Sequence, residues 1–129
     1  MANTITTSYP LNGSRFFTAK IDIVCDTAAE LTAQTIIDVA NITGTPADFK
    51  IRNISWQLSD FSARLLWDAT TDVTALALNQ YEGDLEFFEK TGAPLINNSG
   101  AGKTGKLLIT TKGITTSSTG TIIIRGYHS

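Results

Sequence analysis

The sequence predicts an all-β protein, an antiparallel β-sandwich formed by residues 1–129 as a single domain. Three observations carry that expectation. Apolar side chains recur at every second position, β-branched residues crowd the same segments, and Gly, Asn and Pro break the chain at intervals of roughly 8 to 12 residues. Strands do not alternate with crossover helices, so a parallel sheet is not expected.

The stretch before Asn12 is polar and poor in large apolar side chains. It reads as a frayed end, with an extended arm over residues 1–12 that orders against a partner as the alternative. Ser14 to Val24 sets Phe17, Ala19, Ile21 and Ile23 against Thr18, Lys20 and Asp22, the rhythm of a half-buried strand. Thr27-Ala28-Ala29-Glu30 matches the capping box that opens helices. Gln34 to Val39 is β-branched and disfavours a helix, so a short helical turn or loop and then a strand is the reading.

Lys50 to Ser59 places Ile54, Trp56 and Leu58 on one face, and Phe61 to Trp67 does the same with Phe61, Ala63, Leu65 and Trp67. A tight polar step, Ser59-Asp60, separates the two runs, so a hairpin is predicted. Both tryptophans then sit on the apolar faces of adjacent strands and anchor the core. Val73 to Leu78, Asp84 to Glu89, Lys106 to Thr111 and Thr119 to Tyr127 complete the strands, with Glu82-Gly83 read as a turn.

A mass of 13.9 kDa implies a folded surface of roughly 6,700 Å², about a third of the extended chain's, enough for a core without disulfides or metals. The net charge is −2, and Lys and Arg are scattered singly, which leaves no basic run for a phosphate backbone. Nucleic acid is therefore not an expected partner. The lone Cys25 excludes an intrachain disulfide and a cysteine zinc site. A secretory leader and an apolar run of membrane-spanning length are both lacking, so synthesis in a reducing cytoplasm, without a membrane partner, is expected.

Each motif with chemical promise has a plainer reading. Around Gly100, Gly102, Lys103 and Thr104 the chain approaches the phosphate loop G-x-x-x-x-G-K-[ST], but the first glycine of that register is Asn97 and a strand follows. A glycine-rich connection with positive φ is expected instead. Asp84 and Glu86, with Glu82 and Glu89 nearby, read as a solvated strand face. Asp68 and Asp72 lack the dense oxygen spacing of a calcium loop. His128, next to the last residue, reads as a mobile imidazole unfit for general base work, and Cys25 as a small hydrophobe at a strand end. Asn12-Gly13-Ser14 and Asn53-Ile54-Ser55 fit the glycosylation triplet, which needs a secretory route to matter. No catalytic residue, cofactor site or metal site is assigned, and the protein is not expected to be an enzyme.

The segment from Trp67 to about Gly113 carries a resemblance. Its pieces are Trp67-Asp68-Ala69-Thr70, Gly83-Asp84-Leu85 with Phe87, Asn97-Asn98-Ser99-Gly100-Ala101-Gly102, Thr104-Gly105, Thr110-Thr111 and Gly113, echoed by Met1-Ala2-Asn3-Thr4 and by Lys20-Ile21 to Asp26-Thr27. This pattern resembles small virion structural proteins of tailed bacteriophages, many of them marine. The resemblance implies a jelly-roll-like sandwich acting as a capsid cement or decoration protein. It would sit in the virion as a homo-oligomer, by analogy a trimer, bridging copies of the major capsid protein. A tail, connector or fibre-associated subunit is the alternative, and a carbohydrate- or receptor-binding module with exposed tryptophan the second alternative.

Overall fold

The computed structural model describes residues 3–78, 81–87 and 93–128. Among the described residues nine strands follow in order: β1 (Thr4–Asn12), β2 (Phe16–Val24), β3 (Gln34–Ile37), β4 (Lys50–Leu58), β5 (Ser62–Trp67), β6 (Val73–Leu78), β7 (Tyr81–Glu86), β8 (Leu107–Lys112) and β9 (Thr119–Tyr127). A 3₁₀ turn, Val39–Asn41, follows β3, and the Asp38 side chain accepts from the Ala40 amide. Two sheets form, in the orders β1-β2-β9-β4-β7 and β3-β8-β5-β6, and every paired strand is antiparallel to its neighbour.

That order has one generating rule. Strands β2 to β5 run out and β6 to β9 run back, pairing β2 with β9, β3 with β8, β4 with β7 and β5 with β6. The long double ribbon then rolls up so that β9 also meets β4 and β8 also meets β5. This is the jelly roll, with β1 added at the edge of the larger sheet. The sandwich expected from the periodicity is therefore present, and its topology is the one the resemblance implied.

The core lies between the two sheets. β2 alternates exposed and buried side chains without a slip, and Phe17, Ala19, Ile21 and Ile23 are each at most 1% exposed. β4 contributes Ile54, Trp56 and Leu58, opposite Ala63, Leu65 and Trp67 of β5 and Leu107 and Ile109 of β8. A register shift in β4 between Ile51 and Asn53 lets Ile51 and Ile54, three residues apart, both face inward. Phe17, Phe49 and Trp67 form an edge-to-face ladder from one sheet to the other, with centroids 5.2 and 5.3 Å apart.

Four sequence-based expectations change. The predicted hairpin between β4 and β5 is a corner where the chain crosses from one sheet to the other. Two-residue hairpins need positive φ at the turn, which Ser59 and Asp60 do not adopt. The Asp60 carboxylate instead binds the β8–β9 corner. The polar N-terminal stretch is neither frayed nor an arm: Thr4–Asn12 is an edge strand paired with β2. Its ends are fixed by asparagines, since Asn3 Oδ1 accepts from the Asp26 and Thr27 amides and Asn12 Oδ1 from the Thr43 amide.

Glu82-Gly83 is not a turn but the interior of β7, where Gly83 faces Trp56 so closely that a Cβ would lie 2.2 Å from the indole. Of the helical turn or loop expected after Thr27, the loop forms, and the expected strand follows as β3. Glu30 reaches across to the β8–β9 connection, accepting from the Gly113 and Ile114 amides and from Thr111 Oγ1. The strand expected over Asp84 to Glu89 starts earlier, at Tyr81, and ends at Glu86, and residues 88 and 89 lie outside the described residues.

Candidate functional site

The residues first singled out for chemistry are occupied structurally. Gly100, Gly102 and Gly105 adopt positive φ, as expected of a connecting loop. That loop is sewn onto the turn after β5 and onto the segment before β4: Thr104 Oγ1 donates to Asp68 Oδ2 at 2.7 Å, the Thr70 amide donates to the Ala101 carbonyl, and Lys103 Nζ lies 2.9 Å from Asp48 Oδ2. Asp72 accepts from the Ala69 amide, so Asp68 and Asp72 serve different partners. Asp84 accepts from Asn53 Nδ2 at 2.9 Å, and Glu86 lies 3.9 Å from Arg52 Nε. Among the described residues no three His, Cys, Asp or Glu side chains converge in a metal-binding arrangement.

Cys25 is buried, and burial pushes its thiol pKa up, as do the negative charges of Asp60, Asp26 and Glu30, the reverse of nucleophile activation. His128 departs from expectation: it is 6% exposed and its amide donates to the Arg15 carbonyl. The imidazole is packed, with Nε2 lacking a hydrogen-bond partner among the described residues. In the glycosylation triplets named above, Asn53 is buried and the Asn12 side chain is taken up by Asn41 and Thr43.

Two carboxylates hold the β8–β9 corner. Hydrogen bonds from Ser118 Oγ and Thr115 Oγ1, with a further one from Ser59 Oγ, hold Asp60 below the usual carboxylate range. For Glu30 partial burial pushes the pKa up, but the two amides and Thr111 outweigh it and the net shift is downward. A depressed pKa stabilises the fold above the unfolded value, about 4, and that contribution is lost as pH falls through the folded value. Calorimetric melts should therefore show Asp60→Asn and Glu30→Gln melting below wild type at neutral pH, with the curves converging in acid, below the folded pKa values. Curves that stay parallel to acid pH would remove these carboxylates from the account.

What the sequence did not show is a surface. On the outward face of the larger sheet, strand pairing lines residues up in rows. Phe16, Tyr127 and Lys50 share the first row, and Thr18, Arg125 and Asn53 the second. Further along, Asp22, Thr121, Gln57 and Glu82 share a row, and Val24 pairs with Thr119 at the end. Arg15 lies over the Phe16 ring at 5.8 Å and Lys50 over the Tyr127 ring at 5.7 Å, and the two rings are 6.1 Å apart. Arg125 Nη1 donates to Asn53 Oδ1 at 3.2 Å. Arg15, Lys50, Arg52 and Arg125, which the chain order scatters, are gathered at one end of this face, where Phe16 and Leu11 are about half exposed.

Two hollows of about 350 and 360 Å³ flank Phe16 and share Arg52. At the far end a shallow hollow of about 460 Å³ is lined by Ser55, Gln57, Glu82, Asp84 and Thr121. The arrangement is a jelly roll whose outward sheet face gathers aromatic rings and cations at one end, with Glu86 beside Arg52, and carries Asp22 and Glu82 further along, with Lys20 3.9 Å from Asp22. No family model matches the chain, and a search of curated proteins finds no match either.

Proposed function

We propose that this chain is a structural protein of a tailed-phage virion, a capsid cement or decoration protein that bridges neighbouring capsomers and contacts the major capsid protein. The observation that carries the reading is the jelly-roll strand order, an architecture widely used by viral capsid proteins. The resemblance over Trp67 to Gly113 points the same way, as does the rich Thr and Ser content of the outward faces. In this reading the protein is made in the host cytoplasm and incorporated into the particle, without enzymatic turnover. Three copies around a local threefold position would give several modest contacts that hold together through multivalency.

Quantitative mass spectrometry of purified virions tests it. A copy number comparable to that of the major capsid protein is expected. A handful of copies per particle would move the protein to the tail or connector, and none would overturn the virion reading. A carbohydrate-binding module built on tryptophan platforms is disfavoured, because Trp67 and Trp56 are 0% and 8% exposed.

A further inference from the structure

We propose that β6 is an open sheet edge through which two copies of this chain join, β6 of one pairing antiparallel with β6 of the other across a two-fold axis. An edge strand presents unpaired N–H and C=O groups, and folded chains blunt such edges with charge, proline, a bulge or brevity. The larger sheet ends in β1 and β7, the smaller in β3 and β6. β1 carries Pro10 and a register shift between Ser8 and Leu11. β3 has only four residues, and Thr7 Oγ1 of β1 donates to its Ile36 carbonyl at 2.6 Å. β7 sets Glu82, Asp84 and Glu86 at alternate positions. β6 runs from Val73 to Leu78 without a charge, a proline or a glycine, and among the described residues it pairs with β5 alone.

The strand's own pattern names its partner. Val73 pairs with Trp67 and Leu78 with Ala63 on the core side, while Thr74 pairs with Leu66 and Ala77 with Arg64 on the solvent side, where both are exposed. The register shift makes Ala75 an extra residue, and Ala75 and Leu76 both pack against the core. The strand therefore faces in, out, in, in, out, in, the same from either end. A regular pleat of this length, fully overlapped with itself, would oppose core-side to solvent-side residues. With the bulge, a two-fold axis between Ala75 and Leu76 sets Val73 opposite Leu78 and Thr74 opposite Ala77, each facing as its partner does. Val73, Ala75 and Leu76 are only partly buried, and a second β6 covers them. The other edges are blunted, so the strand available to β6 in a solution of this chain is β6 itself. The join is isologous and continues the smaller sheet from one copy into the next. The shared edge is about 20 Å long. That falls short of a standard interface, so the dimer is weak and concentration-dependent.

Sedimentation velocity and hydrogen exchange on the full chain test the contact, over about 10 to 500 µM protein. Wild type should pass from monomer to dimer across that range, with amide protection in β6 rising in step. Affinity should hold or rise from about 50 to about 500 mM NaCl, because the contact contains no ion pair and salt screens the β7 carboxylates of the two copies from each other. Thr74→Lys/Ala77→Lys and Thr74→Glu/Ala77→Glu, both at exposed positions, should each weaken the dimer at least about tenfold, since like charges then stand directly opposite. An equimolar mixture of the two should recover a dimer, because each lysine then faces a glutamate. That recovery also shows that both variants are folded.

A monomer at every concentration overturns the proposal, as does a dimer that survives both double substitutions, one that dissociates in salt, or a mixture that stays monomeric. Uptake of a synthetic peptide of residues 73–78 by a chain that never dimerises overturns it too, and assigns the edge to a strand from a different protein. The contact does not rest on the virion reading: a mass of three chains that ignores the substitutions would sink it and leave the threefold arrangement standing.

Discussion

Trp67→Ala is expected to cost about 3–5 kcal/mol of stability and to lower the melting temperature by roughly 10–20 °C. The indole is fully buried at the end of β5 and closes the ladder with Phe49 and Phe17. Removing it opens a void between rings held by both sheets, which cannot collapse without moving strands. Against a typical total of about 5–15 kcal/mol the loss is close to unfolding. Trp67→Phe should cost much less than its lost area suggests, because the indole Nε1 has no hydrogen-bond partner among the described residues and removing that buried donor relieves a penalty of about 1–3 kcal/mol. Urea titration of both variants checks the pair. A loss below about 1 kcal/mol for Trp67→Ala would mean that the ladder does not hold the sheets together.

The second large effect sits at the other end of the same ladder. Gly126→Ala is expected to destabilise by about 2–3 kcal/mol, although it adds one methyl group. A Cβ at Gly126 would lie 2.7 Å from the Lys50 carbonyl oxygen and 2.7 Å from Phe17 Cζ. The ring can shift a little, but the carbonyl belongs to the backbone of β4, which pairs with β9 beside it. Phe17→Leu in the same chain should therefore restore only part of the loss. A double-mutant cycle by chemical denaturation measures that coupling. Full rescue would show that the carbonyl contact is unimportant, and no rescue that the ring is.

How far the sequence revealed this molecule depended on whether local chemistry or pairing decided the outcome. Thr119–Tyr127 was legible to the residue, because three consecutive isoleucines after Gly120 favour a strand; Val73–Leu78 could equally be helix by propensity, and its shortness between turn residues decided for the strand that forms. Thr4–Asn12 was not legible. Its inward residues Ile5, Thr7 and Tyr9 are only half buried at a sheet edge, so the alternation is faint in composition. The Ser59-Asp60 step misled because length alone suggests a hairpin, whereas the decisive partners, Thr115 and Ser118, lie more than fifty residues away. His128 read as mobile from its position, but the Arg15 carbonyl holds it. The surface was hidden for the same reason: Arg15, Lys50 and Arg125 stand far apart in the chain, and only the adjacency of β2, β9 and β4 makes them neighbours. A faint signal existed, since each stands at or near a strand end beside an aromatic or polar residue.

The rolled ribbon also fixes the order in which the molecule can come together. The middle of the larger sheet is β9, and both strands that flank it come from much earlier in the chain, with Val24 opposite Thr119 and Leu58 opposite Gly120. Until that final ribbon slots in, β2 and β4 share no ladder, and the N-terminal half is left with an open seam. The entropy of closing nearly the whole chain into a loop must be met before any of these hydrogen bonds forms, so folding belongs to the slow, millisecond-to-second range of all-β topologies. The same insertion that completes the larger sheet sets Tyr127 between Phe16 and Lys50, and Arg125 between Thr18 and Asn53. A chain in which β9 is not yet in place therefore lacks the row of Phe16, Tyr127 and Lys50.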